Sequence, residues 1–281
     1  MSAPGISLAA GRARSVLPGF RLSLGFTLVY LASLVLIPLV ALLLRPFELP
    51  LPELWDAITA PRVLSALRLS FGMALAAALI DAVFGLIIAW VLVRYRFPGK
   101  ALLDAVIDLP FALPTAVAGI ALSTLYAPNG WLGSALMEYG IRVAYTPWGV
   151  LVAMVFIALP FTVRTIQPVL AELGRDSEEA AATLGATRLQ IIGRVVLPAL
   201  LPAILTGVAL AFARAAGEYG SIIFIAGNLP NISEIAPLLI VINLEQYDYA
   251  GAAAVGVVML GASFIMLLAL NALQSWAAKR R

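Results

Sequence analysis

Glu172-Leu-Gly-Arg-Asp-Ser-Glu-Glu-Ala-Ala-Ala-Thr-Leu-Gly185 separates two apolar blocks, 147–166 and 197–216. Each block is long enough to cross a bilayer as a helix, which takes about 20 apolar residues. The polar stretch therefore lies outside the membrane, within a loop spanning 167–196. Asp176 and Glu179 stand three apart, the spacing of an N-cap and its reciprocal partner. Leu173, Ser177, Ala180, Ala181 and Leu184 fall on one small-residue stripe, with the acids on the other side. Gly185 is placed to end this helix, and Ala186 to Val196 to form a second that leads into Pro198. A helix–glycine–helix knob with a flat alanine face suits a partner's groove, although an ordinary amphipathic surface helix shows the same pattern.

The rest of the chain has the same alternation. Of 281 residues 62% are hydrophobic and only 12% charged, and the apolar residues come in long blocks. A soluble domain needs far more charge to cover its core, so the bilayer is the solvent. The expected fold is all-α and polytopic, with six spans at about 22–44, 68–93, 101–126, 147–166, 197–216 and 250–274. A further apolar stretch, Ile235 to Leu244, is too short to span and is expected to pack against the bundle. The run from Leu22 to Leu44 is too long for a signal-peptide core and reads as a retained span.

Charge sets the direction. Arg12, Arg14 and Arg21, then Arg94, Arg96 and Lys100, then Arg164, Arg175, Arg188 and Arg194, and finally Lys279, Arg280 and Arg281 fall on one side. Only Arg45, Arg62, Arg68 and Arg142 fall on the other. The positive-inside rule puts both termini and the 167–196 loop in the cytoplasm. The organisation expected is a cytoplasmic segment at 1–21, a transmembrane domain at 22–274 and a basic tail at 275–281.

Several chemistries are excluded. Without cysteine or histidine there is no disulfide, thiol nucleophile, Cys/His metal site or Ser-His-Asp triad. No GxxxxGK[ST] loop is present, so any ATP that drives transport, with its Mg, is bound by another subunit. The net charge of +3 is dispersed in short clusters between spans and does not indicate a nucleic-acid partner.

Charges and prolines inside the spans are the candidates for a pathway. Pro110 and Pro114 interrupt the third span, and such breaks are tolerated in protein or beside a wet cavity. Arg214 and Glu218 lie four apart, on one face if the helix continues, either as an ion pair or with Arg214 as a fixed positive charge on a pathway. Asp81 falls mid-span, where a carboxylate is either hydrogen-bonded to a neighbouring helix or used by a proton-coupled carrier. Asp104 is within reach of Lys100, and Asp108 is placed to cap the broken backbone. Thr115, Ser123, Thr206 and Ser221 are candidate hydrogen-bond donors on a pathway, although hydroxyls in spans also bond their own helix backbone.

Glu179-Ala180-Ala181, three residues, Gly185, nine residues and Val195-Val196-Leu197-Pro198 resemble the EAA signature of ABC importer permeases, with valine at 195 in place of the usual isoleucine. Val16-Leu-Pro-Gly-Phe20, Arg94-Tyr-Arg-Phe-Pro-Gly99, Asp108-Leu-Pro-Phe-Ala-Leu-Pro-Thr-Ala-Val-Ala-Gly119, Gln167-Pro-Val-Leu170 and Gly217-Glu-Tyr-Gly-Ser-Ile-Ile-Phe-Ile-Ala-Gly-Asn228 are similar to the T-type (CysT/CysU) permease family of bacterial sulfate/thiosulfate importers. The resemblance implies a type I importer permease fold in the bacterial inner membrane, with no catalysis in this chain. It implies that Glu178, Glu179, Ala180, Ala181 and Gly185 dock an ATPase dimer. It also implies a homologous W-type permease and a periplasmic sulfate/thiosulfate-binding protein as partners. The alternatives are a molybdate ABC permease, which would homodimerise, and a secondary carrier using Asp81, for which the loop would have no purpose.

Overall fold

The structure, a computed structural model, describes residues 19–279. Arg12, Arg14, Arg280 and Arg281 lie outside them, so the expected terminal segments are described only in part. Every regular element among the described residues is helical. The chain divides into two units, one ending at Leu44 and one beginning at Arg45.

The first unit is one helical run, α1, made of Phe20–Leu31, a π turn at Ala32–Leu36, and Ile37–Leu44. The cause of the π turn is Pro38. A proline ring clashes with the carbonyl four residues back, and widening the helix to i→i−5 bonding removes the clash. Ile37 N accordingly donates to Ala32 O.

The second unit begins with a 3-10 turn at Arg45–Glu48, followed by the helices α2 (Leu51–Thr59) and α3 (Pro61–Arg94). Its next elements are α4 (Lys100–Ile107), α5 (Leu109–Ala112), α6 (Thr115–Tyr126), α7 (Trp131–Glu138) and α8 (Pro147–Glu172). The short α9 (Asp176–Thr183) precedes the long α10 (Arg188–Ala216). The remainder is α11 (Ile222–Ile225), α12 (Ala236–Glu245) and α13 (Tyr249–Lys279). Helices α3, α8 and α10 pack on one another, and α12 and α13 close the bundle beside them.

Small residues make this packing close, as membrane interiors require where apolar side chains gain nothing over lipid. Ala74, Ala77 and Ala78 of α3 meet Ala153 and Ala158 of α8 and Ala211 and Ala215 of α10 around Phe212. Thr162 is wedged between two glycines: a Cβ at Gly85 would lie 2.8 Å from its Cγ2, and one at Gly207 3.2 Å from its Cα. Leu92, Ile107, Val163, Ile166, Leu170, Val196 and Leu200 form a second cluster toward the ends bearing Arg94 and Glu172.

Among the described residues five helices are long and apolar enough to span a membrane, where six spans were expected. The difference is the third. Residues 101–126 do not form one helix but three, α4, α5 and α6. Leu113 is extended, at φ −79° and ψ 134°, because Pro114 sterically disfavours helical geometry in the residue before it. Pro110 occupies the first turn of α5, where its missing N–H costs nothing. The other spans fall where expected but extend further: α3 begins at Pro61 rather than 68, α8 runs on to Glu172, and α10 begins at Arg188 rather than 197. The expected separate helix over 186–196 does not exist. Its residues join α10 through a π turn at Ile192–Val196, two residues before Pro198, the same device as in α1.

Candidate functional site

The loop after α8 is a tight knob. Gly174 turns the chain at φ +64°, and α9 follows. Arg175, not Asp176, is its N-cap residue, and no side chain caps it, so the expected Asp176–Glu179 cap is not formed. The three acids in its first turn, Asp176, Glu178 and Glu179, still favour the helix through its dipole. At the other end Gly185 takes φ +83°, its N–H bonds Ala182 O at 3.0 Å, and Ala186 N–H bonds Ala181 O at 3.1 Å. This double bond is the Schellman arrangement, which needs a left-handed residue where Gly185 stands. The capping box is on the next helix: Thr187 Oγ1 accepts from Gln190 N, and Gln190 Oε1 accepts from Thr187 N.

The acids of α9 do not share one solvent face. Glu178 turns inward to Arg94 at the end of α3, whose Nη2 donates to Glu178 Oε1 at 2.5 Å and to Gly174 O at 2.6 Å. Arg94 also lies over the Trp90 ring, and Arg175 Nη2 donates back to Arg94 O at 2.9 Å. The knob is thus fastened to α3 at both ends of a single arginine. Glu179, Ala180 and Gly185 are exposed, Ala181 is half-buried, and Leu184 and Leu189 are 89% and 82% exposed. The expected stripe therefore presents Leu184 outward, and Glu179 makes no ion pair among the described residues.

At its far end α10 carries Arg214. Its Nη1 donates to Glu218 Oε2 at 2.6 Å, while Glu218 Oε1 accepts from Ser221 N and Ser221 Oγ. Glu218 is 3% exposed, so this is a satisfied carboxylate at a helix end, with Arg214 half-exposed beside it. The same segment crosses α6 closely. A Cβ on Gly220 would fall 2.2 Å from Thr115 Oγ1, and one on Gly119 2.3 Å from Ser221 O. Thr115, Pro114, Arg214 and Glu218 therefore belong to one neighbourhood, where the broken third segment meets the end of α10.

Asp81 is elsewhere, fully buried one turn from Gly85 on the packed face of α3. Among the described residues neither carboxylate oxygen has a hydrogen-bond partner, nor does Thr162 Oγ1 in the same helix interface. The hydroxyl candidates separate as well: Thr206 bonds its own helix at Pro202 O, and Ser123 pairs with Tyr145 beside a cavity of about 650 Å³.

The sequence reading missed a cluster around Arg164. All five of its N–H groups are used: Nε and Nη2 on Asp108, Nη1 on Asp104 Oδ1 and Gln167 Oε1, and Nη2 also on Asp104 O. Asp104 thus pairs with Arg164 rather than Lys100, and Asp108 bonds Arg164 instead of capping α5. The four-residue spacing of Asp104 and Asp108, facing an arginine at the same expected depth, was the available signal. Arg62 and Glu234, joined by two bonds of 2.7 and 2.6 Å, had none, being 172 residues apart.

Residues 81–281 match the family described as the binding-protein-dependent transport system inner membrane component. The sulfate transport system permease protein CysT of Salmonella typhimurium is 49% identical over 267 residues, covering 95% of this chain and 96% of the relative. The protein of the same name from Synechococcus elongatus is 53% identical over 254 residues, or 90% and 91% of the two chains. Among solved structures, a chain of a bacterial ABC transporter involved in the import of the acidic polysaccharide alginate superposes with a TM-score of 0.75 at 16% identity, over 91% of this chain and 94% of that one.

Proposed function

The chain belongs to the family of binding-protein-dependent transport system inner membrane components, and we propose that within it this is the T-type permease subunit of a sulfate/thiosulfate ABC importer. It is an ABC importer permease with multiple apolar spanning helices. In the proposed assembly it lies in the bacterial inner membrane with both termini in the cytoplasm and forms the translocation pathway with a homologous W-type permease. A periplasmic sulfate/thiosulfate-binding protein delivers the anion. An ATPase dimer, which alone holds ATP and Mg, docks on the knob at Glu178, Glu179, Ala180, Ala181 and Gly185; this chain performs no catalysis.

The similarity to the sulfate permease relatives supports the substrate, and the observation that carries the coupling role is the continuity of α10. Its 29 residues run unbroken from the knob to the neighbourhood of Arg214. At 1.5 Å per residue that rod is roughly 40 Å long. Closure of an ATPase dimer against the exposed Glu179–Leu184 face moves the knob, and α10 carries the displacement to Arg214, Glu218 and Thr115. Alternating access follows as rocking of packed helices about this lever.

Asp81 favours a second reading, an ion-driven carrier, because a buried unpartnered carboxylate is what proton coupling uses. Its surroundings oppose that role, since it lies on the packed face of α3 with Ala77, Ala78 and Gly85 rather than in the neighbourhood where α6 meets α10.

The test is sulfate-stimulated ATP hydrolysis in liposomes holding this chain, its sister permease, the ATPase and the binding protein. Stimulation by sulfate, lost in Gly185→Asp, supports both docking and substrate. Stimulation by molybdate without the sister permease moves the chain to the molybdate branch, and uptake with no ATPase present returns the carrier reading.

A further inference from the structure

Beside the knob, Arg94, Arg96, Lys100 and Arg175 border one cavity of about 610 Å³. Of these four, Arg94 has an acidic partner among the described residues, Glu178. Arg96, Lys100 and Arg175 make no ion pair among the described residues, and Arg175 is bonded to a neutral carbonyl. Three cations without an ion-pair partner among the described residues therefore border one space, a concentration of charge that an anion would relieve.

Tyr95 belongs to this cavity and also to a second, of about 310 Å³. That second cavity is a groove between α3 and the start of α10, lined by Leu86, Ile87, Val91, Ile192, Val196 and Leu200, and Trp90 lines it too. The cationic cup and the apolar groove share Tyr95, and Trp90 and Tyr95 also line, with Arg94, Arg175, Glu178 and Glu179, a third cavity of about 320 Å³ beside them. Aromatic residues mark the level where headgroups meet hydrocarbon, and basic pockets between spanning helices suit phosphate headgroups. The sequence of charge, aromatic pair and apolar groove matches the profile of one lipid molecule read from headgroup to tail.

We propose that this is a binding site for an anionic glycerophospholipid, its phosphate held by Arg96, Lys100 and Arg175 and one acyl chain lying in the groove. A free phosphate or sulfate would use the cup but leave the groove empty. A docked protein would have to fill both. Arg94 and Arg175 also fasten α9, so an occupied site stiffens the knob; only this consequence, not the binding itself, rests on the docking role proposed above.

The chain has five tryptophans, which permits a direct optical test. A variant with Trp55, Trp131, Trp148 and Trp276 changed to Phe retains Trp90 as the single emitter. Reconstituted full chain is titrated with phosphatidylglycerol or phosphatidylcholine carrying brominated acyl chains. The expected result is stronger quenching by the anionic lipid, and a loss of apparent affinity of roughly tenfold or more in Arg96→Gln/Lys100→Gln, since each basic group near such a surface contributes substantially to anionic-lipid attraction. Arg96→Gln alone, at an exposed position, serves if the double variant does not fold. Equal quenching by the two lipids overturns the proposal. So does full relief of quenching by millimolar inorganic phosphate, which identifies a free-anion cup, and displacement of the lipid by added ATPase, which identifies a protein interface.

Discussion

Arg94 and Glu178, 84 residues apart in the chain, meet in an ion pair that fastens the short helix α9 to the end of the long helix α3. Arg94 is only 9% exposed, and its second bond, to Gly174 O, holds the turn that starts the knob. Arg94→Ala strips both acceptors of their donor. Leaving such groups unsatisfied costs about 1–3 kcal/mol, so thermal stability should fall. Substrate-stimulated ATP hydrolysis should fall further, because the knob loses its fixed orientation. The exchange Arg94→Glu/Glu178→Arg should recover part of the coupling, and failure to exceed the single variants would mean the pair is incidental.

Gly185 makes a sharper prediction about shape. At φ +83° a side chain with a Cβ is strained, by roughly 1–2 kcal/mol for an ordinary residue. No heavy atom lies within 4 Å of the added Cβ, so the cost is conformational rather than steric. Gly185→Val should uncouple hydrolysis from substrate, and Gly185→Asn, which tolerates the left-handed region, should retain most of it. Equal loss in both would point to crowding at a partner surface instead of backbone strain.

The spans were legible because the bilayer imposes a length and an apolar composition on any crossing helix, and five blocks satisfy both. The third failed as a continuous helix for a reason also present in the sequence, Pro110 and Pro114, but how far Leu113 would extend depends on the local fold. Arg214 and Glu218 were legible as a pair since four residues bring them to one face. Asp104 shows the opposite case. Lys100 is equally close in sequence, yet Arg164, 60 residues away, wins because its planar fork meets two carboxylates at once. The knob's helix–glycine–helix form was readable from Gly185. The fastening by Arg94 and the merging of 186–196 into α10 were not, because both arise from packing between distant segments.

The Arg164 cluster holds the first two pieces of the broken segment to α8. Lysine keeps the charge but has three donors and no fork, so Arg164→Lys should behave as a loss-of-structure variant despite its conservative appearance. A fall in melting temperature together with raised proteolysis near residues 104–114 is the expected result. An unchanged variant would show that charge alone, without the five bonds, positions α4 and α5.

Asp81 separates the importer from the carrier. Its two oxygens have no partners among the described residues, so replacing the ionisable group with an amide removes no hydrogen bond seen there. Asp81→Asn should leave ATP-dependent uptake within about twofold of wild type, as expected for a structural position away from the pathway. Loss of uptake with a changed pH dependence would restore Asp81 to a proton-coupling role.

The contact of Gly220 with Thr115 tests whether the crossing at α6 matters for transport. A methyl at 220 would meet Thr115 Oγ1 at 2.2 Å and Thr115 Cβ at 3.1 Å. The first clash is with a side-chain hydroxyl that can be deleted, so Thr115→Ala should relieve most of the damage caused by Gly220→Ala. Gly119→Ala has no such remedy, because its methyl would lie 2.3 Å from Ser221 O and 2.7 Å from Ser221 Cα, both backbone. Overpacking of this kind costs about 1–3 kcal/mol, enough to displace the segment that carries Glu218. Uptake should therefore fall in Gly220→Ala, return in Gly220→Ala/Thr115→Ala, and stay low in Gly119→Ala with or without Thr115→Ala. If the double variant is stable but still inactive, the Thr115 hydroxyl itself serves the pathway, and the crossing is more than a packing constraint.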